Sequence, residues 1–383
     1  MHGWLRAVFF VLFASVLFSA GVYLYRRLVR DVTETKVLRV LGAVSIIAVM
    51  GGFVLARILL RQQVGRGVAT GVAVWAGLLL YTLLSLLVIE GIKLARRAKH
   101  PVDPDRRKFI ARAAATGALV GGAGLSGLAV FRAYEPARET LVQVKLPGLP
   151  KSLEGFTICQ LSDLHVGSIL QERFVDELVE RTNALKPDLI AVTGDLVDGK
   201  PHELGRFVAR FGNLKASRGV FFVSGNHDYY SGWDEWSRVL PSSCGFQLLR
   251  NRWVTVGDDG GSFDLIGVED YGSRHSDDGD GYDLEKALAG RDPSRPSILL
   301  SHQPGSFDDT IQKKLGLQLS GHTHGGQTFP ITGAASLLWG PRAHGLSKEQ
   351  DSQLFVSRGC GFVGPPMRLG SPPEIAKIVL LAG

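Results

Sequence analysis

The chain has 383 residues, of which 45% are hydrophobic and 21% charged. That length is enough for two folded units, and the composition excludes a disordered or collagen-like polymer. The formal net charge of +7 is unevenly placed, because residues 1–135 carry 18 Lys and Arg against 6 Asp and Glu, leaving 25 against 30 in residues 136–383. The basic excess belongs to the N-terminal third alone, which argues against a nucleic-acid binder. Cys159, Cys244 and Cys360 lack any CxxC spacing, so neither a disulfide framework nor a thiolate metal site is indicated, although a single bridge stays open.

Four stretches without a charged side chain come first: Ala7–Tyr25, Val40–Ala56, Gly67–Ile89 and Ala113–Phe131. Each approaches the roughly 17–25 residues that a membrane-spanning helix needs. The second reaches Leu60 if Arg57 snorkels to the interface. The expectation is a membrane region over residues 1–135 with helices at about 7–25, 40–60, 67–89 and 113–131, and a second domain over 136–383. Lys and Arg cluster between the first and second stretches (Arg26, Arg27, Arg30, Lys36, Arg39) and between the third and fourth (Lys93 to Arg112). Both connections are expected on the cytoplasmic side, which puts the C-terminal domain of this multi-pass protein outside the cytoplasm. An alternative for the fourth stretch is a twin-arginine export signal built on Arg106-Arg107-Lys108-Phe109. Both readings export the domain.

Beyond a short lead at Thr140–Lys145, apolar runs alternate with helical patterns. Expected strands are Thr157–Leu161, Asp188–Val192, Val220–Val223, Phe263–Val268, Ser297–Leu300, Leu317–Ser320, Gln353–Val356 and Ile375–Leu381. Phe174, Val175, Leu178, Val179 and Leu185 recur at helical spacing, as do Phe207, Val208, Phe211 and Leu214, so crossover helices join the early strands into a largely parallel sheet. The later strands lie closer together and predict a mixed sheet or a two-sheet sandwich. Ser273–Tyr282 is rich in Asp and Gly and reads as a solvated loop.

Polar residues collect at the ends of these strands. Leu161 is followed by Ser162-Asp163-Leu164-His165, Val192 by Thr193-Gly194-Asp195-Leu196-Val197-Asp198, and Val223 by Ser224-Gly225-Asn226-His227-Asp228. Leu300 is followed by Ser301-His302, and Leu319 by Ser320-Gly321-His322-Thr323-His324. In open α/β sheets ligands bind at this carboxyl edge. Each piece alone has an ordinary explanation, such as a strand-end cap, a Gly-Asp turn or a satisfied histidine. Together they supply two or three Asp, four or five His and an Asn with no Cys, a donor set for hard or borderline divalent ions and more than one ion requires. Two ions about 3.5–4 Å apart are the natural use. Asp163 and Asp195 would only partly neutralise them, leaving a positive centre that suits an anionic phosphate ester.

The ordered series DLHVG, GDLVDG, GNHD, SHQP and GHTHGGQ resembles the calcineurin-like metallophosphoesterase superfamily, in particular its membrane-anchored bacterial branch. The tail Ser357-Arg358-Gly359, Pro365-Pro366-Met367-Arg368-Leu369 and Pro372-Pro373-Glu374-Ile375 strengthens that likeness. The resemblance covers about residues 141–382 and implies a four-layer α/β/β/α sandwich that hydrolyses phosphate esters with two divalent ions such as Mn, Fe or Zn. It implies that Asp163, His165 and His324 hold one ion, that Asp195 bridges, and that Asn226, His302 and His322 hold the other. His227 is then the catalytic acid, with Asp228 orienting it; Asp stands there where many relatives carry Glu. The implied substrates are phosphodiesters or pyrophosphates, including lipid-linked and sugar-nucleotide compounds of the UDP-diacylglucosamine type; the alternatives are a phosphomonoesterase or a non-catalytic extracytoplasmic sensor. The segment Tyr229–Pro296 is expected to form the pocket rim. Tyr229, Tyr230, Trp233 and Trp236 line either a stacking wall beside the ions or the packed face of a short helix, the latter being the expected case.

Overall fold

The computed structural model describes residues 3–61, 66–96, 103–275 and 281–383. The chain divides into two compact units, Met1–Phe131 with Gly364–Met367, and Arg132–Val363 with Arg368–Gly383. The first consists of helices α1 (Gly3–Tyr25), α2 (Lys36–Arg61), α3 (Arg66–Arg96) and α4 (Pro104–Ala133). Among the described residues, Thr70–Ala95 and Asp105–Ala133 are long and apolar enough to cross a membrane.

The second unit is built on two six-stranded sheets. The first contains β1 (Arg138–Leu146), β2 (Thr157–Leu161), β3 (Leu189–Thr193), β4 (Val220–Val223), β5 (Gln247–Leu248) and β12 (Glu374–Ala382), in the order β1-β12-β2-β3-β4-β5. The second contains β6 (Arg252–Asp258), β7 (Gly261–Gly267), β8 (Ser297–Leu300), β9 (Leu317–Ser320), β10 (Gly345–Glu349) and β11 (Ser352–Val356), in the order β10-β11-β9-β8-β7-β6. Strands β2, β3 and β4 run parallel, as do β7, β8 and β9, while β12 pairs antiparallel with β2.

The period of two along each strand sorts side chains between two cores. On β3 and β4, Leu189, Ala191, Phe221 and Val223 face the layer between the sheets, where Leu265, Leu300, Leu319, Phe355 and Ile378 meet them. Their neighbours Ile190, Val192, Val220 and Phe222 face outward onto α5 (Glu172–Ala184), α6 (Pro201–Val208) and α8 (Trp233–Cys244). Between β4 and α8 lies α7 (Asn226–Tyr230). Ile266 and Leu299 on the far side of the second sheet pack with Leu284 and Ala287 of α9 (Leu284–Leu288), and Leu354 and Val356 with Phe307 of α10 (Phe307–Gln312). The result is an α/β/β/α sandwich. Burial on both faces explains the unbroken apolar runs, each fully buried Leu, Ile or Phe contributing about 1.5–3 kcal/mol.

Every strand expected from the sequence is present, with ends shifted by no more than two residues, and the lead becomes β1. The additional strands β5, β6 and β10 lie at sheet edges or end them. Together α8, β5, β6, β7 and α9 (Leu284–Leu288) take up much of Tyr229–Pro296, so that segment is mostly framework, not pocket rim, because β6 and β7 complete the second sheet and α8 covers the first. Of the expected loop Ser273–Tyr282, positions 276–280 lie outside the described residues. All three cysteines are free and buried, which closes the question of a bridge.

Candidate metal centre

Strand β2 ends at Leu161, and the backbone then turns sharply enough that Asp163 and His165 adopt φ of 54° and 47°. Asp195 after β3, and His322 and His324 after β9, do the same, with φ of 52°, 68° and 51°. Left-handed backbone at a non-glycine residue costs roughly 1–2 kcal/mol, so five such residues on one sheet edge persist only where surrounding contacts over-determine them. Those contacts are visible. The Asp163 carboxylate accepts the His322 N–H (2.9 Å), Asp195 Oδ1 accepts the His227 N–H (2.8 Å), and the Asp195 carbonyl accepts the N–H groups of Leu164 and His165. Gly321 and Gly225 permit this crossing of loops, since a Cβ on the first would collide with Asp163 and on the second with Asp195.

The side chains converge in three overlapping groups: Asp163, His165 and His324; His165, Asp195 and His227; Asp195, His302 and His322. His165 Nε2 lies 3.1 Å from His324 Nε2, and His324 Nε2 lies 3.4 Å from Asp163 Oδ1. His302 Nε2 is 3.2 Å from Asp195 Oδ2 and 3.3 Å from His322 Nδ1. The Thr193 carbonyl accepts from His302 Nδ1 (2.8 Å), and Asp198 Oδ1 lies 3.2 Å from His165 Nδ1. A carbonyl and a carboxylate only accept, so both imidazoles carry a proton on Nδ1 and turn Nε2 toward the centre, where loss of its proton would free a lone pair for a metal. Asn226 Oδ1 is buried without a hydrogen-bond partner. A buried amide oxygen left unpaired is costly, and here it belongs to a residue at the same strand edge. Oxygen and imidazole donors, an orphaned amide oxygen and no thiolate are what a pair of hard or borderline divalent ions requires.

Charge follows the same geometry. Burial alone would lower His165 and His302, but the surrounding carboxylates outweigh it: Asp198, Asp195 and Asp163 raise His165 to about 9, and Asp195, Asp163 and Asp270 raise His302 to about 10. Burial and the neighbouring His302 hold His322 down at about 4. His324 is likewise depressed, by burial, His165 and Arg368.

The contact expected between Asp228 and His227 is not formed. The buried Asp228 carboxylate accepts the backbone N–H groups of Gly225 (2.8 Å), Asp195 (3.0 Å), Leu196 (2.9 Å) and Val197 (3.3 Å). It clamps the β3 loop to the β4 loop and has no capacity left for an imidazole. His227 Nδ1 instead meets Asp198 Oδ1 at 2.6 Å, and that carboxylate is shared with His165. Asp198 was legible as part of GDLVDG, three residues after Asp195, but spacing alone did not show that its side chain turns back under both histidines. Arg368 was visible only as part of the tail; fully buried, it places Nη2 3.1 Å from His324 Nδ1 and is itself held by the carbonyls of Gly361, Ser371 and Arg358. Of the four aromatic residues after His227, Trp233 and Trp236 are buried in the core and Tyr229 packs against it. Tyr230 is the exception, 76% exposed with its ring centroid 5.5 Å from that of His227.

Residues 156–326 match the family model described as calcineurin-like phosphoesterase. A Bos taurus protein named transmembrane protein with metallophosphoesterase domain is 36% identical over 318 residues, covering 78% of this chain and 71% of its own. An uncharacterized metallophosphoesterase of Helicobacter pylori is 39% identical over 240 residues, covering 62% of each chain. The uncharacterized metallophosphoesterase YkuE of Bacillus subtilis is 29% identical, covering 72% of this chain and 97% of its own. Two long apolar helices and the transmembrane relative together point to membrane association.

Proposed function

The chain belongs to the calcineurin-like phosphoesterase family, metal-dependent enzymes that work with two divalent ions, and from that premise we propose a membrane-anchored binuclear phosphodiesterase acting on lipid-linked or sugar-nucleotide envelope substrates. The observation that carries the reading is the sharing of Asp195 between two groups of potential ligands. In this assignment Asp163, His165 and His324 would hold one ion, Asn226, His302 and His322 the other, and Asp195 would serve both. When bound, the ions supply Lewis-acid charge for the phosphoryl oxygens and lower the pKa of water toward about 7.

The remaining steps belong to the chain's own side chains. His227 Nε2 protonates the departing oxygen, while Asp198 holds the Nδ1 proton and keeps the ring in that tautomer. Proton transfer of this kind contributes about 10²–10⁴-fold. The anchor comprises four helices within residues 1–135, oriented by their basic connections so that residues 136–383 lie outside the cytoplasm. An outward site tied to a bilayer meets envelope diesters and pyrophosphates, of which UDP-diacylglucosamine is a type, more readily than cytoplasmic phosphoproteins.

The test is hydrolysis of a chromogenic phosphodiester and the matching monoester by the full-length protein, with Mn, with chelator, and with Asp195→Asn alongside. Metal-dependent diester cleavage lost in the variant is expected. Exclusive monoester cleavage would replace the diesterase reading, and two bound ions without turnover of either compound would favour a sensor. A reporter fused after Gly383 that is active only in the cytoplasm would overturn the orientation.

A further inference from the structure

Five residues after Phe329 and Pro330 have left the His324 loop, the chain is well into a helix that water does not explain. This helix, α11 (Ile331–Trp339), follows the metal-centre loop directly, and no charged residue occurs between His324 and Arg342. Among its side chains Leu337 is 88%, Leu338 77% and Trp339 54% exposed, with Ile331 and the preceding Phe329 also exposed; Ala335 is its buried residue. On β10, the next strand in the chain, Leu346 is exposed as well. A helix apolar on nearly every side normally lies in a protein core or in lipid, and a contiguous exposed apolar patch marks an interaction site. Here it is also fixed to the chemistry, since a Cβ on Gly326 would come within 2.6 Å of Thr332 Cα, so the helix packs directly on the His324 loop.

We propose that α11 docks on the surface of the bilayer, with Leu337, Leu338 and Trp339 entering the interface, so that substrate leaves the lipid beside the His324 side of the metal centre. Three observations choose lipid over a protein partner. Protein interfaces carry a polar rim and hydrogen-bonding groups, whereas this helix offers Thr332 and Ser336 as its polar side chains, and Ser336 is already engaged by the Thr332 carbonyl. Trp at the end of an apolar segment suits the headgroup boundary. The chain also carries its own apolar helices Thr70–Ala95 and Asp105–Ala133, and a tether turns a weak surface contact into an intramolecular one at high effective concentration. The inference rests on the membrane-anchored reading given above.

The experiment uses the full-length protein in phosphatidylcholine proteoliposomes. Because Cys159, Cys244 and Cys360 are buried, a thiol-reactive fluorophore can be placed at Leu338→Cys and, as a control, at Glu154→Cys, which is exposed just before β2 at the end of the sheet remote from the site. Spin-labelled lipid should quench the probe at 338 and leave that at 154 bright. In parallel, Leu337→Ser/Leu338→Ser, which removes three side-chain carbons at each position, should lower turnover of a long-alkyl p-nitrophenyl phosphodiester held in the vesicles by at least about tenfold, a loss that roughly two buried methylenes would already produce, while turnover of the methyl analogue in solution is unchanged. An unquenched probe at 338 would overturn the docking, and equal losses on both diesters would overturn its link to substrate entry. If the unaltered protein cleaves neither diester, the proposed activity fails while the quenching still decides the docking.

Discussion

Asp228 and Asp198 make opposite predictions, and their comparison tests the assignment of roles most directly. The Asp228 carboxylate accepts four backbone N–H groups, two on each oxygen, in a fully buried position. Asp228→Asn keeps one acceptor oxygen and turns an amide NH2 toward the other two donors. Leaving a buried donor unsatisfied costs about 1–3 kcal/mol, so two of them cost about 2–6 kcal/mol. At roughly 2–4 °C per kcal/mol for a unit of this size, Tm should fall by about 5–20 °C. Asp198 is a third exposed and meets only side-chain imidazoles, so Asp198→Asn should leave Tm nearly unchanged while lowering kcat by about 10²-fold or more as His227 loses its orienting carboxylate. Circular-dichroism melting and phosphodiester turnover of the two variants, both Mn-loaded, decide the matter. If Asp228→Asn melted like the unaltered protein and lost turnover while Asp198→Asn stayed active, the clamp and the dyad would be wrongly assigned.

Asp195→Asn should lose both turnover and most of the bound metal, because the residue belongs to two of the three ligand groups; metal analysis after gel filtration checks it, and full retention of two ions would refute the sharing. Metal loading should release protons. With His165 raised to about 9 and His302 to about 10 in the metal-free protein, both imidazoles are protonated at pH 7 and must shed a proton to ligate, so affinity should rise from pH 6 to 8. Calorimetry in buffers of different ionisation enthalpy measures the release, and none would contradict the ligand assignment. The same shifts fix the sign for the chelated protein: the stabilisation from these histidines is complete below their ordinary value of 6.5 and is lost as pH rises through about 9–10, so chelated samples should melt progressively lower at alkaline pH. Finally, Tyr230→Ala should raise KM for an aromatic or sugar-bearing diester with little change in Tm, since the ring is exposed beside His227.

What the sequence made legible was what burial on two faces and strand-end chemistry write into local patterns. Runs such as Ile190–Val192 and Phe221–Val223 must be apolar at every position because each side chain meets one core or the other, and the metal-centre residues appear where β2, β3, β4, β8 and β9 leave the sheet. The unread strands are those that lack this double burial. β10 spells Gly-Leu-Ser-Lys-Glu at the edge of the second sheet, and β6 closes its other edge with Val256 as its one buried side chain. Edges face water, so their composition resembles loops.

The error at Asp228 has a more specific cause. Adjacent residues look like partners in a sequence, but α7 starts at Asn226, and neighbours on a helix point about 100° apart. His227 therefore turns toward the centre while Asp228 turns back beneath the loops, at N3 of the helix, where a carboxylate accepts backbone N–H groups. The imidazole's partner has to come from another strand end, and the left-handed turn at Asp195 redirects the β3 loop so that Asp198 reaches both His227 and His165. One carboxylate then touches a ligand candidate and the proposed acid at once.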